Sequence, residues 1–333
     1  MSVFLLLVSF AVVLAGALLF TNAVEWIGHR LNLGEGAVGS ILAAVGTAMP
    51  ETLIAIVALL SVNEGSEDVA IGAIVGAPFL LATLAMGLVG LFAYLYRERR
   101  EQGLRLKAHR PTLERDLLFF LTFFAAAGLL SWGPPAAVRI SVGVVFLLAY
   151  LVYITRTLRG GGEVQEQDTL NPLIFDPRSE RRSDPALSLC VIQLVVGLAA
   201  MVGGAHLFVE ELLHIAESIG VEALVLALIL APLATELPEK VNSFFWVREG
   251  KDALALGNIS GAMVFQSTIP VGIGLIFTDW ALSGNAVLSI VLGVAGGLLA
   301  YVSLHRAARF KLPAVIGWFA LYSAFLIVVV LSA

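Results

Sequence analysis

Two short segments decide how this chain folds: Gly46-Thr47-Ala48-Met49-Pro50-Glu51 and Ala234-Thr235-Glu236-Leu237-Pro238-Glu239. Each sets a threonine, a proline and a glutamate at the same spacing inside a long apolar run. An ionisable group within such a run is costly unless it faces a cavity or a partner, which makes both glutamates functional candidates. Pro50 and Pro238 bring no N–H to the helix, so the carbonyls of Gly46 and Ala234 are freed and those of Thr47 and Thr235 loosened. In each segment the threonine and the glutamate stand four residues apart and share a helical face. Two facing copies offer two carboxylates, two hydroxyls and several carbonyls. That oxygen-only set suits a hard cation such as Ca2+, which takes about six to eight oxygens. It suits zinc or copper poorly.

The surrounding composition is that of a membrane protein. The 333 residues are 59% hydrophobic and only 14% charged, with a mean hydropathy of +0.93, whereas a soluble domain is about a quarter charged. With about 20 apolar residues per crossing, ten spans are expected, at 3–31, 36–60, 68–96, 116–132, 135–158, 187–219, 222–248, 252–277, 286–304 and 313–332. The first run has neither a basic leading region nor a small-residue cleavage pattern, so it reads as a retained helix. Of the twenty Lys and Arg residues, eighteen fall on one side of this layout, Arg139 falls on the other, and Lys240 lies within a span. The basic side is expected to be cytoplasmic, with both termini outside. The formal net charge of -5 gives no reason to expect a nucleic-acid partner. Cys190, the single cysteine, excludes an intrachain disulfide and a CxxC pair.

The chain also repeats itself. With a shift of 188, Gly16 falls on Gly204, Ala17 on Ala205, Phe20 on Phe208, Thr47 on Thr235, Pro50 on Pro238 and Glu51 on Glu239; beyond a three-residue insertion, Gly72 falls on Gly257 and Gly76 on Gly261. Five spans per repeat is an odd number, so the second copy is inverted relative to the first, a design that puts a binding site near the bilayer midplane. The expected organisation is a first five-helix repeat over 1–158, a flexible cytoplasmic linker over 159–186 that is too short for a folded regulatory domain, and an inverted second repeat over 187–333. Two carboxylates converging in a low-dielectric interior make protons and cations compete for one place, the physical basis of antiport.

These residues resemble the alpha-repeats of the sodium/calcium exchanger (cation/Ca2+ antiporter) superfamily, whose usual form is G-T-S-x-P-E on one helix and G-N-x-x-G-S-N-x-x-N/D on the next. The likeness covers the second, third, seventh and eighth helices and reaches the Gly-Ala and Gly-Gly-Ala stretches of the first and sixth. It implies a ten-helix exchanger in which Glu51 and Glu239 bind Ca2+ together with Thr47 and Thr235, while the first and sixth helices slide to give alternating access. The departures are specific. Ala48 and Glu236 replace the serine after the threonine; Ala73, Ala77, Pro78 and Leu81 replace the polar positions of the third helix; on the eighth, Asn258 is kept but Ala262, Met263 and Gln266 fill the other positions. The Ca2+ carboxylates survive and the flanking Na+ ligands mostly do not, which makes H+ a rival to Na+ as counter-ion.

Glu236 and Lys240 are four apart on one face, spaced as an ion pair; the rival reading makes Lys240 a resident cation in an emptied Na+ site. Ser243, Asn242, Asn258, Gln266, Ser267 and Thr268 are candidates to line the path or to bond between helices. His206, Glu210 and His214 recur every fourth residue, near the outer end of the sixth span, and read as an interfacial or ion-entry face rather than a transition-metal site. No HExxH, no GxSxG and no paired membrane aspartates are present, so an enzyme is not expected. The sequence reading is a prokaryotic inner-membrane antiporter moving Ca2+ or another divalent cation against Na+ or H+. It needs no cofactor and no obligate protein partner. The alternatives are a cation channel and a degenerate member acting as ion sensor or scaffold.

Overall fold

A computed structural model describes residues 1–30, 49–101, 103–159, 171–176, 185–307 and 309–332. The regular secondary structure of the described residues is helical, with two isolated β-bridges besides. In chain order the helices are α1 Ser2–Arg30, α2 Met49–Leu60, α3 Ser66–Leu80, a π turn Leu81–Ala85, α4 Met86–Leu95, α5 Arg110–Leu129 and α6 Ala136–Arg159. They continue as α7 Leu187–Ile219, α8 Ala223–Thr235, α9 Leu237–Arg248, α10 Asp252–Gln266, α11 Ile269–Phe277, α12 Gly284–Ala307 and α13 Leu312–Ser332. Seven helical stretches among the described residues are long and apolar enough to cross a membrane. The difference from the ten expected runs has local causes. The first half of the second run (36–48) lies outside the described residues, the fourth opens on the charged turns around Arg110, Glu114, Arg115 and Asp116, and the seventh is divided at Glu236.

The stretch Ser66–Leu95 is 94% buried over its apolar window, against 28% for α1 and for α7 and 17% for α6. The third span is therefore the interior post, and the outer helices turn apolar side chains such as Phe4, Leu7, Leu151 and Val195 outward, as lipid permits and water does not. Small residues bring the post against α8. A Cβ on Gly72 would stand 2.5 Å from that of Ala227, and one on Gly76 would stand 2.8 Å from the Leu228 carbonyl oxygen. Close approach of this kind is how helices associate where the hydrophobic effect supplies no drive.

The same device joins α1 to α7. A Cβ on Gly16 would lie 2.8 Å from the Gly197 carbonyl oxygen, and one on Gly197 would lie 2.8 Å from both the Gly16 carbonyl oxygen and the Phe20 nitrogen. Backbone faces backbone, so a side chain cannot be absorbed by a rotamer change. Gly197→Val is expected to force the two helices apart and to cost about 1–3 kcal/mol, the usual range for overpacking; a lowered thermal unfolding midpoint of the purified protein reads it.

Contacts between helix ends sort the loops into two groups. Arg100, after α4, meets Asp252 at the start of α10; the Arg110 guanidinium donates to the His305 carbonyl; Arg30 donates to the Pro185 carbonyl, and the Trp26 indole to that of Asn171. At the other end Trp132 bridges Ala281, Arg139 pairs with Asp279, and Gly65 lies beside Leu213 and Ala223. The first group gathers the basic loops. Most of the expected linker lies outside the described residues, but its short stretch 171–176 is docked rather than loose. Leu173 is fully buried beside Trp26 and Cys190, and the Phe175 N–H donates to the Gln193 side-chain carbonyl at 2.9 Å.

Candidate functional site

The seventh expected run is interrupted at Glu236. Helix α8 stops at Thr235, Glu236 has φ -89 and ψ 5, and α9 restarts at Leu237 with proline in its first turn. Glu236 therefore occupies the N-cap of α9, where the positive end of the helix dipole favours a carboxylate. The Thr235 hydroxyl donates to the Ala231 carbonyl at 2.9 Å, which leaves its oxygen lone pairs available. A second break lies in the next span. Helix α10 ends at Gln266, and α11 begins at Ile269, followed by Pro270, which has no N–H to offer the Gln266 carbonyl four residues back. The Ser267 and Thr268 hydroxyls both turn back to the Val264 carbonyl, at 3.2 and 2.7 Å.

This break places the Gln266 side chain against carboxylates from both halves of the chain. Its Nε2 donates to Glu51 Oε1 and to Glu236 Oε1, each at 2.5 Å. A primary amide has two N–H donors, one for each carboxylate. All three residues are buried, at 3%, 2% and 1% exposure for Glu51, Glu236 and Gln266. Glu236 Oε2 and Gln266 Oε1 have no hydrogen-bond partner among the described residues, so two buried acceptor oxygens are left for a donor or a cation to satisfy. Lys240, one turn along α9 and also buried, donates its backbone N–H to the Glu236 carbonyl at 3.3 Å.

Gly46 and Thr47 lie outside the described residues, and nothing is described of the side chains of Ala234, Pro238, Glu239 and Asn242. Pro50 and Ser243 are buried, and Asn258 is half-buried on α10, eight residues before Gln266. In the third span the substituted positions Ala73 and Ala77 on α3 and Leu81 at the start of the π turn are all buried, so the span brings no side-chain oxygen there. Local spacing predicts the Glu236–Lys240 proximity but not the reach of Gln266 to Glu51, a contact 215 residues apart in the chain. It also misses a buried carboxylate outside this cluster. Asp116 accepts from the Tyr153 hydroxyl at 2.8 Å and from the Ser260 hydroxyl at 2.9 Å, tying α5 and α6 to α10.

At the less basic end, a cavity of about 790 Å³ is lined by Asn63, Glu64, Asp68, Glu210, His214 and Glu217, among others. His206, Glu210 and His214 are exposed along one side of α7. Among the described residues no three His, Cys, Asp or Glu side chains are grouped as a metal site.

Long apolar helices around a buried carboxylate–amide cluster define a polytopic helical membrane protein built to hold charge in its interior. The sequence pattern of the sodium/calcium exchanger protein family matches residues 1–159 and 189–332, and the chain belongs to that family. It is 23% identical to the sodium/calcium exchanger MaX1 of Methanosarcina acetivorans, over 82% of each chain. Its fold matches the crystal structure of the H+/Ca2+ exchanger CAX with a TM-score of 0.75 at 20% identity, covering 98% of this chain and 81% of that one. It matches the sodium-calcium exchanger NCX_Mj with a TM-score of 0.61 at 20% identity, covering 97% of both chains.

Proposed function

We propose that this protein is a secondary antiporter that exchanges Ca2+, or another divalent cation, against Na+ or H+ by alternating access. The observation that carries the reading is the convergence of Glu51, Glu236 and Gln266, from both halves of the chain, in a buried cluster with unsatisfied oxygens. In this reading ten spans form two inverted five-helix repeats with the basic loops in the cytoplasm, and Glu51, Glu239, Thr47, Thr235 and the carbonyls of Gly46 and Ala234 bind the cation near the bilayer midplane. Pro50 and Pro238 free those carbonyls, and Ser243 and Asn258 line the path. The acidic cavity beside Glu210 and Glu217 serves as a vestibule that concentrates cations. An exchanger named for H+/Ca2+ and others named for sodium and calcium share the fold, so the counter-ion is chosen by side chains. Buried Ala73, Ala77 and Leu81 supply no Na+ ligand and favour H+.

The test is Ca2+ uptake into proteoliposomes under separately imposed H+ and Na+ gradients, with Glu239→Gln as control. Uptake is expected to follow the H+ gradient and to be lost in the variant. Saturable uptake driven by Na+ alone at fixed pH would reverse the choice of counter-ion. Equal Ca2+ flux with no counter-gradient would instead indicate a channel.

A further inference from the structure

Glu236 and Lys240 stand out among the buried groups because neither is among the cation ligands named above, although Glu236 belongs to the buried cluster. At the shift of 188 Glu236 falls on Ala48 and Lys240 on Thr52, both uncharged, yet the Glu236 carboxylate shares the Gln266 amide with Glu51, and its other oxygen has no partner among the described residues. Lys240 is 9% exposed and stands one turn after Glu236, its backbone N–H donating to the Glu236 carbonyl at 3.3 Å. A carboxylate added to a buried anionic site and a cation added one turn later are most simply understood as a compensated pair of changes.

We infer that Glu236 is a third carboxylate of the cation site and that Lys240 is a resident cation which sets the exchange ratio at two monovalent ions per divalent ion. The assignment rests on the exchange reading above, with Glu239 counted as a ligand. Three carboxylates and one ammonium leave the site with two net negative charges. One Ca2+ neutralises it, and so do two Na+ or two H+. Neutral loaded states cross a low-dielectric interior at least cost, so exchange is two for one and carries no net charge. Without Lys240 the site would demand a third monovalent ion. Without Glu236 it would take only one.

The geometry also assigns Gln266 its part. With two donors it holds Glu51 and Glu236 side by side without adding charge, while its Oε1 remains as an acceptor for the incoming ion. Gln266 is a positioning residue, and Glu236 and Lys240 set the charge.

The experiment measures Ca2+ uptake in proteoliposomes with the membrane potential clamped, and Ca2+ binding to the purified protein by calorimetry, for the wild type, Glu236→Gln, Lys240→Gln and the double variant. Wild-type uptake is expected to be indifferent to potential. An inside-negative potential should speed uptake in Glu236→Gln and slow it in Lys240→Gln, and the double variant should again be indifferent. Binding should weaken by about tenfold or more in Glu236→Gln and tighten by about tenfold in Lys240→Gln, the effect of about 1.4 kcal/mol, and return near the wild-type value in the double. Tighter binding in Lys240→Gln is the outcome that a merely structural ion pair would not produce, and it stands even where a single variant no longer transports. Unchanged or weaker Ca2+ binding in Lys240→Gln, or the same response to potential in both single variants, would overturn the assignment. A wild-type protein that takes up no Ca2+ under any gradient would defeat the exchange reading instead, and the binding series would still decide the charge assignment.

Discussion

Replacing Glu51 with glutamine is expected to reduce Ca2+ uptake by roughly 100-fold or more while leaving the helices assembled. The Gln266 amide now donates to Glu51 Oε1 in a cluster excluded from water. A glutamine at 51 can turn its own carbonyl to accept the same hydrogen bond, so the shape survives and only the charge is lost. An interaction with a buried charged group is worth up to about 3 kcal/mol, a factor of roughly 100 in binding. Initial uptake rates in proteoliposomes read the loss, and an unchanged thermal midpoint shows that the fold persists. Glu51→Ala should differ in kind. It removes the acceptor, leaves a buried amide donor without one of its bonds, and should cost about 1–3 kcal/mol of stability besides the transport. Wild-type uptake by Glu51→Gln would exclude Glu51 as a ligand and remove the main support for the site.

The helical plan of this chain is legible in its hydropathy because lipid imposes a strong local rule, an apolar length per crossing. Most of the described helices fall on the expected runs within a few residues. The fourth does not. It begins at Arg110 rather than 116, because charged residues that end an apolar run do not end a helix, and Pro111 is well placed in a first turn. The break at Glu236 could be foreseen from Pro238 alone. The break at Ser267 and Thr268 left the same mark in Pro270, but without a glutamate beside it the segment reads as ordinary path lining.

The site was less legible than the fold. Spacing along one helix relates Glu236 to Lys240, whereas the bonds that link Glu236 to Glu51 run through a residue on another helix and depend on how distant helices pack. No periodicity reports such a contact. The docking of 171–176 beneath α1 and α7 was hidden for the same reason: a polar linker reads as loose until Asn22, Trp26 and Gln193 are seen to satisfy its backbone.

Asp252 illustrates how much stability such an unforeseen contact can hold. It lies in the first turn of α10, where its charge also suits the helix dipole. Arg100, from the loop after α4, meets both of its carboxylate oxygens at 2.6 and 2.5 Å, and the Lys107 N–H adds a third bond at 2.9 Å. Both side chains of the ion pair are fully buried. The attraction within such a pair is largely cancelled by the desolvation of its members, so its presence says little about net stability; its disruption is another matter. Asp252→Ala strands a guanidinium without water or counter-charge and is expected to cost about 3–5 kcal/mol. The measurement is chemical or thermal unfolding of the purified protein, and the decisive comparison is with the double variant Arg100→Met, Asp252→Leu. Removing both charges removes both desolvation penalties, so the double variant should recover most of the loss. Were it as unstable as Asp252→Ala, the carboxylate would matter chiefly as the acceptor for the Lys107 N–H and the α10 dipole. Because this pair ties the basic loops together far along the chain from Glu51, variants that remain folded should keep the wild-type ratio of ions exchanged.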